Sequence, residues 1–230
     1  MRITIISLAG LLFTPMIVRA ADSVMKIDEL PYTITASGNY EVTKKLTVAS
    51  DETAISVNAA KGTYVVINLG GFSITARSAG GTGIGVSSDN GNTVVYNGTI
   101  SGFQVGLELY DGGQAHDLQL LGNLYGIFLS GNDIVVQNCY IIGTGAATGA
   151  GILLSGCGDV QVSGCHVSQF AQGIVTSPSK IGNAFLHNYV ASCTYGLELS
   201  EYDYYQGNVV TNCTSPFLGG NAIGTENGGY

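Results

Sequence analysis

The sequence is poor in charged residues, and basic residues are especially scarce. Eight Lys and Arg residues stand against sixteen Asp and Glu residues, which gives a formal net charge of −8. Proteins bind nucleic-acid backbones through clustered Lys and Arg, so this composition argues against a nucleic-acid partner. It also disfavours an anionic polysaccharide, unless a cation bridges the two negatively charged surfaces.

Proline and long apolar runs are scarce as well. The 34 glycines and four prolines, without any helical periodicity, indicate many turns and a backbone held largely in β-ladders. One apolar run, Ile3 to Val18, follows Arg2 and leads to small residues before a predicted cut after Ala20. Residues 1–20 therefore predict a signal peptide, since Pro15 interrupts a run already shorter than the ~20 residues that span a bilayer. We expect a protein that is secreted, periplasmic or on the cell surface, with no transmembrane segment after cleavage.

An internal repeat is the strongest pattern in the remaining sequence. A glycine followed by alternating apolar residues recurs at spacings of 23, 20, 25, 22 and 23 residues, as GIGV (83–86), GLEL (106–109), GIFL (126–129), GILL (151–154), GIVT (173–176) and GLEL (196–199). Side chains of a strand alternate between its two faces, so the residues after each glycine and two further on point inward. Short apolar strands at this period, separated by Gly, Asn, Ser and Asp turns, indicate a solenoid of parallel strands.

These motifs resemble the right-handed parallel β-helix superfamily, of pectin-lyase-like shape. The resemblance implies an all-β, single-stranded right-handed parallel β-helix (solenoid) of about 7 to 9 rungs. We expect an N-terminal entry and capping segment at 21–46, the parallel β-helix at 47–218 and a polar C-terminal tail at 219–230. The superfamily includes lyases, hydrolases, epimerases and adhesins, so the resemblance specifies a fold and not a reaction.

Motifs of the enzymes in this superfamily are missing. The sequence contains no Asn-Thr-Asp, Asp-Asp or Gly-His-Gly of polygalacturonase-like enzymes and no Asp-Pro-His-Asp of mannuronan epimerases. No Lys or Arg lies on a middle strand beside an acidic cluster, where a uronate lyase would carry its base. A glycan-binding or surface-interaction module is therefore the preferred hypothesis. The alternatives are a carbohydrate-active enzyme, either a polysaccharide lyase or a glycoside hydrolase, and a purely structural or adhesive protein.

Three outward positions form the best candidate ligand surface. Tyr140, His166 and Tyr189 each lie in the column one position before an inward apolar column, on three successive repeats. Flat rings repeated along a rod can stack on a glycan chain, and tyrosine adds a polar tip. The alternative is that like side chains stack only to stabilise the sheet, at about 0.2 to 1 kcal/mol per pair.

The stretch GLELSEYDYY supplies the catalytic candidates. Glu201, Tyr202 and Asp203 lie within three residues, where two carboxylates and a tyrosine of lowered pKa would provide acid and base. The alternative is a solvated acidic turn. Asp133 and Asp159 follow neighbouring repeat strands and are weak candidates for binding Ca2+, which prefers several hard oxygen ligands. Ordinary turn-forming Asp is the alternative for this pair, and no other cofactor is expected.

A second outward column is apolar. Phe128, Leu153 and Val175 occupy the same repeat position as Glu108 and Glu198, which flank them. An exposed apolar patch often marks a contact surface, so this strip is a candidate for self-association. Cover by a terminal segment of the same chain is the alternative. The five cysteines contain no CxxC pair, so neither a redox nor a zinc role is supported.

Overall fold

The computed structural model describes residues 23–78, 81–89, 91–145, 147–179 and 181–229, so the predicted signal peptide lies outside the described residues. The described chain contains strands and no helix, and hence no helix that would cross a membrane. The strands are β1 (Met25–Ile27), β2 (Tyr32–Ile34), β3 (Gly38–Val42), β4 (Leu46–Val48), β5 (Ile55–Val57), β6 (Val65–Asn68), β7 (Ser73–Ala76), β8 (Ile84–Ser88), β9 (Thr93–Ser101), β10 (Val105–Leu109), β11 (Gln114–Leu121), β12 (Tyr125–Asn132), β13 (Val135–Gln137), β14 (Tyr140–Ile142), β15 (Ala150–Gly158), β16 (Gln161–Ser163), β17 (His166–Ser168), β18 (Gln172–Thr176), β19 (Ala184–Leu186), β20 (Tyr189–Ala191), β21 (Tyr195–Glu198), β22 (Tyr204–Gln206), β23 (Val209–Thr211), β24 (Ser215–Leu218), β25 (Asn221–Ala222) and β26 (Gly228–Gly229).

The strands form a right-handed parallel solenoid of about nine turns, as the repeat predicts. We name its three long sides A, B and C. Side A contains β1, β3, β6, β13, β16, β19, β22, β25 and the first halves of β9 and β11; side B contains β4, β7, β14, β17, β20, β23, β26 and the second halves of β9 and β11. Side C is a separate sheet of nine parallel strands in the order β2, β5, β8, β10, β12, β15, β18, β21 and β24.

The core is a stack of aliphatic side chains, and the repeat glycines let the sides approach one another. The residue after each repeat glycine is buried, as predicted, at Leu107, Ile127, Ile152, Ile174 and Leu197. A Cβ built on Gly106 would lie 2.7 Å from the carbonyl oxygen of Gly126 on the next turn, and the other repeat glycines of side C are equally confined. Any larger residue in this column would therefore push two turns apart.

The register differs from the sequence expectation at β8. Val105 pairs with Ile84, so the glycine that lies opposite Gly106 is Gly85 and not Gly83. Ile84 accordingly lies on the outward side of the strand and is only half buried. The motif GIGV contains two glycines two residues apart, and a pattern of period two fits either of them equally well.

Sides A and B meet at a corner formed by single residues in the left-handed region. Asn97, Asp117, Asn138 and His187 have φ between 53° and 61° there. Short polar side chains, Asn and Asp above all, tolerate this conformation best among residues other than glycine. The corner turns the chain without a loop, so β9 and β11 continue through it as single strands.

The parallel ladder extends into both terminal segments. In the segment 21–46, β1 already pairs with β3 and β3 with β6. In the segment 219–230, β25 pairs with β22 and β26 with β23. The solenoid therefore extends beyond residues 47–218, into the N-terminal segment and into the C-terminal segment.

Candidate functional site

The three rings of the ring strip, Tyr140, His166 and Tyr189, lie side by side on side B. Tyr140 pairs with His166 and His166 with Tyr189 in the parallel ladder. Their ring centroids are 4.7 Å and 4.8 Å apart, and neighbouring ring planes are inclined by 53° and 43°. Tyr140 and Tyr189 are 43% and 40% exposed. The strip is therefore a continuous aromatic surface three turns long and open to solvent.

The surroundings of the ring strip are polar but uncharged. No Asp, Glu, Lys or Arg occurs in the strands of sides A and B on these three turns, which are β13, β14, β16, β17, β19 and β20. His166 is the one titratable residue of the Asp, Glu, Lys, Arg and His types in these strands. Partial burial lowers the pKa of His166, so its imidazole is neutral at pH 7. The hydroxyl groups of Tyr189 and Thr211 lie 3.0 Å apart and form a hydrogen bond. The strip thus combines flat apolar faces with neutral hydrogen-bonding groups.

The acidic turn after β21 is divided between the outside and the inside of the solenoid. Glu201 and Tyr202 are exposed, whereas the side chain of Asp203 is completely buried. Asp203 Oδ2 accepts hydrogen bonds from Thr176 Oγ1 (2.6 Å) and Ser200 N (2.9 Å). Its Oδ1 accepts from the backbone and side-chain nitrogens of Asn183 (3.0 Å and 2.8 Å).

These four donors occupy the carboxylate of Asp203 fully, and no substrate can reach it. Glu201 and Tyr202 point to solvent without it, so the structure does not bring the three catalytic candidates together. The predicted solvated turn holds for Glu201 and Tyr202 and is wrong for Asp203. The physical reason is the tight turn, closed by Asp203 N donating to Ser200 O (3.2 Å), which directs the aspartate into the core.

Asp133 and Asp159 occupy equivalent corner positions on neighbouring turns. Both are exposed and have positive φ, 58° and 55°, as expected for turn-forming aspartate. Within the described residues, no group of three His, Cys, Asp or Glu side chains is arranged to hold a metal ion. Asp133 also lines a shallow cavity together with Asp111 and Lys61. Calcium binding at the pair stays a prediction.

On side C, Phe128, Leu153 and Val175 follow one another in register, with Glu108 and Glu198 at the two ends. Phe128 and Leu153 are half-buried, but Val175 is only 7% exposed. The predicted exposed strip is therefore shorter than three residues. Glu198 is the register partner of Val175 on the next turn. It accepts a hydrogen bond from Gln172 Nε2 (2.7 Å) on the outer face of side C.

Glu108, at the other end of the apolar strip, is engaged by its neighbours. It accepts hydrogen bonds from Ser87 Oγ (2.7 Å) and Tyr110 OH (3.1 Å). Burial, with Glu108 adding to it, raises the pKa of Tyr110. Gln104, Val105, Glu108, Tyr125, Phe128 and Leu153 line a shallow cavity of about 320 Å³ on this side. The carboxylate of Glu108 therefore already accepts two hydrogen bonds from neighbouring side chains.

The cysteines are free thiols, four of them buried. Burial raises the pKa of Cys157 and of Cys193 to about 11, so both are protonated at neutral pH. A protonated, enclosed thiol is a poor nucleophile and a poor metal ligand. These residues act as small apolar side chains of the core.

Sequence reasoning missed a second ring pair on side A. Tyr96 and His116 pair across neighbouring turns and stack with centroids 4.9 Å apart and planes inclined by 21°. Each lies ten residues before a repeat glycine, Gly106 and Gly126 respectively. That common spacing is the signal by which the pair can be found in the sequence.

Comparison with known proteins identifies the fold family. The family model described as a right-handed beta helix region matches residues 34–215. No curated protein matches the chain. Among solved structures, the chain is similar to the A-module of the mannuronan C-5 epimerase AlgE6 from Azotobacter vinelandii, with 14% identity, 90% of this chain and 80% of that chain covered, and a TM-score of 0.39. Because the family model covers most of its length, the chain belongs to the right-handed β-helix family.

Proposed function

We propose that this protein is an exported binding module that holds a neutral, extended polysaccharide along the ring strip. The observation that carries the proposal is the in-register row of Tyr140, His166 and Tyr189, with rings 4.7 Å and 4.8 Å apart on the outside of the rod. A glycan chain laid parallel to the rod axis meets one ring per turn. Its pyranose faces pack against aromatic faces, and its hydroxyl groups form hydrogen bonds with the tyrosine hydroxyls.

The charge of the molecule favours a neutral glycan over an acidic one. The chain carries a net charge of −8, which repels polyuronates and sulfated chains. The strands that flank the ring strip offer glutamine, serine and threonine, which donate and accept hydrogen bonds without selecting for charge. The leader pattern of residues 1–20 supports the export that we propose, which would place the protein where polysaccharides are found.

The proposal is tested with a double variant, Tyr140→Ala with Tyr189→Ala. Purified protein is incubated with insoluble cellulose, xylan, chitin and, as acidic probes, pectate and alginate, with Ca2+ and with chelator. We expect retention on a neutral polysaccharide by the wild type and at least tenfold weaker retention by the variant, since two of the three aromatic faces that pack against sugars are removed. Tyr64→Ala with Tyr195→Ala, two exposed tyrosines outside the strip, is the matched control.

The same incubation separates the alternatives. Released oligosaccharides, detected by mass spectrometry, would replace the proposal with a lyase or hydrolase, and the mass of the products would name which. Equal retention of the wild type and the Tyr140, Tyr189 variant would remove the ring strip from the binding site. Absence of both retention and products on every polysaccharide would leave a structural or adhesive role as the better account.

A further inference from the structure

The second ring pair lies on the turns directly preceding the ring strip. Tyr96 and His116 belong to β9 and β11, and the partner of β11 on the next turn of side B is β14, which begins with Tyr140. Both rings are half-buried, and they stack more nearly parallel to one another than neighbouring rings of the ring strip do. The two aromatic groups therefore occupy five consecutive turns of the solenoid, about 19 Å along its axis.

A continuous strand connects the two groups across the corner. In β11, His116 lies outward on side A and Gln119 lies outward on side B, three residues further along the same strand. Gln119 is exposed and pairs with Tyr140. Its amide thus lies between the second ring pair and the ring strip, where it can donate and accept hydrogen bonds.

The far end of this path opens into a small cavity with both apolar and polar lining residues. Tyr96 lines a cavity of about 170 Å³ together with Tyr40, Glu41 and Asn68, among others. Asn68 is fixed in place, because its Oδ1 accepts from Asn97 Nδ2 (3.0 Å) and Gly70 N (2.8 Å) and its Nδ2 donates to Glu41 Oε1 (3.3 Å). Both lone pairs of Asn68 Oδ1 are thus in use, and its amide holds the carboxylate of Glu41 at the cavity that Tyr96 lines. A fixed carboxylate beside an aromatic face suits a sugar with its hydroxyl groups directed to one side.

We propose that the two ring groups form one binding path for an extended neutral oligosaccharide, from the cavity beside Tyr96, over His116 and Gln119, to Tyr140, His166 and Tyr189. The inference rests on the proposed function and extends it: the site selects chain length, because the ring strip alone contacts only the sugars over three turns. A longer chain binds more tightly because its additional sugars pack against the rings of Tyr96 and His116.

The test is a series of cello-oligosaccharides and xylo-oligosaccharides of increasing length, from trimer to heptamer, with affinities measured by calorimetry. For the wild type we expect at least a tenfold gain in affinity between trimer and heptamer in one series. Tyr96→Ala with His116→Ala should remove most of that gain and leave trimer affinity within about twofold of the wild type. Gln119→Ala, at an exposed position where misfolding is not expected, should remove part of it.

Each result decides between the two proposals. A double variant at Tyr96 and His116 that keeps the full length-dependent gain overturns the extended path and leaves the ring strip as the site. A wild type that binds trimer and heptamer equally well does the same. Failure of the wild type to bind any member of either series, together with no retention on the polymers, overturns the proposed function itself. Tyr195→Ala on side C should leave every affinity unchanged and serves as the control.

Discussion

The ring strip and the acidic turn are two of the regions for which the sequence predicted a function, and the solenoid places their residues in opposite ways. Tyr140, His166 and Tyr189 are 26 and 23 residues apart in sequence, and yet their rings touch. Glu201 and Asp203 are two residues apart, but the first is in solvent and the second is buried completely.

The difference shows how a β-helix assembles a surface. Residues spaced by one turn share a position on the rod, so equivalent side chains gather on one face and keep their order. Residues adjacent in sequence share a face only within a strand and at alternate positions, and a turn can break that alternation. In this fold, the repeat position is therefore a better guide to a site than local density of reactive residues.

The largest effect should come from the buried member of the acidic turn. Asp203→Ala removes the common acceptor of Thr176, Asn183 and Ser200. The Thr176 hydroxyl and both Asn183 nitrogens then lack their partner inside the solenoid, whereas Ser200 N keeps its second acceptor, Thr176 Oγ1 (2.8 Å). We expect a loss of about 3 kcal/mol or more in the free energy of unfolding, measured by urea denaturation. Unpaired buried donors account for that cost, since water does not reach them.

Glu201→Ala is the matched control for this substitution. Its side chain is exposed in the same turn, so the free energy of unfolding should change by less than about 0.5 kcal/mol. Equal destabilisation by the two variants would contradict the division of the turn into an outer and an inner part. It would also return Asp203 to the list of candidate site residues.

The sequence predicts the architecture well because the same motif recurs along the chain. Six copies of the glycine motif average out local irregularity, and the buried column from Leu107 to Leu197 appears as predicted. The register predicted for β8 was wrong, since Gly83 and Gly85 both satisfy a two-residue period. Only the pairing of β8 with β10 distinguishes them. Repetition thus fixes the fold more firmly than the position of any single residue.

Burial of individual outward residues was harder to predict. Val175 has the outward parity of its column, but its exposure depends on the length and direction of its neighbours on other strands. The inward direction of Asp203 depends likewise on the tight turn of two residues between Ser200 and Asp203 and not on a repeating pattern. Tyr96 and His116 were missed for a different reason, because their column contains rings on only two turns: the adjoining register partners are Asn68 and Gln137.

A smaller effect should appear in the coupling between neighbouring rings of the ring strip. Tyr140→Ala, His166→Ala and the double variant form a cycle that isolates the contribution of their contact at 4.7 Å. We expect a coupling free energy of about 0.2 to 1 kcal/mol from urea denaturation, typical of cross-strand pairs. The corresponding cycle for Tyr140 and Tyr189 should give a coupling near zero, because their strands are not neighbours and β17 lies between them.

A large coupling combined with normal retention on polysaccharide would mean that the rings serve the sheet more than a ligand. A small coupling with lost retention would mean the reverse. The two measurements together therefore separate stabilisation of the solenoid from recognition, which the position of the rings alone does not do.

The smallest effect should be a pH dependence carried by His166. Partial burial lowers its pKa in the folded protein below the value of about 6.5 that it has in the unfolded chain. The unfolded state therefore binds more protons between these two values, so the protein loses stability as the pH falls through about 6.5 toward the folded pKa. At pH 8 the imidazole is unprotonated in both the folded and the unfolded state, so its titration does not change the free energy of unfolding there.

His166→Gln removes this titration and keeps a polar side chain in the strip. Urea denaturation at pH 8 and pH 5 should show that the wild type loses more stability on acidification than the variant does. His116 and His187 are present in both proteins, so their contributions cancel in the comparison. An equal loss in the two proteins would mean that His166 is solvated as freely in the folded state as in the unfolded one, and that the strip is more open between Tyr140 and Tyr189 than the structure describes.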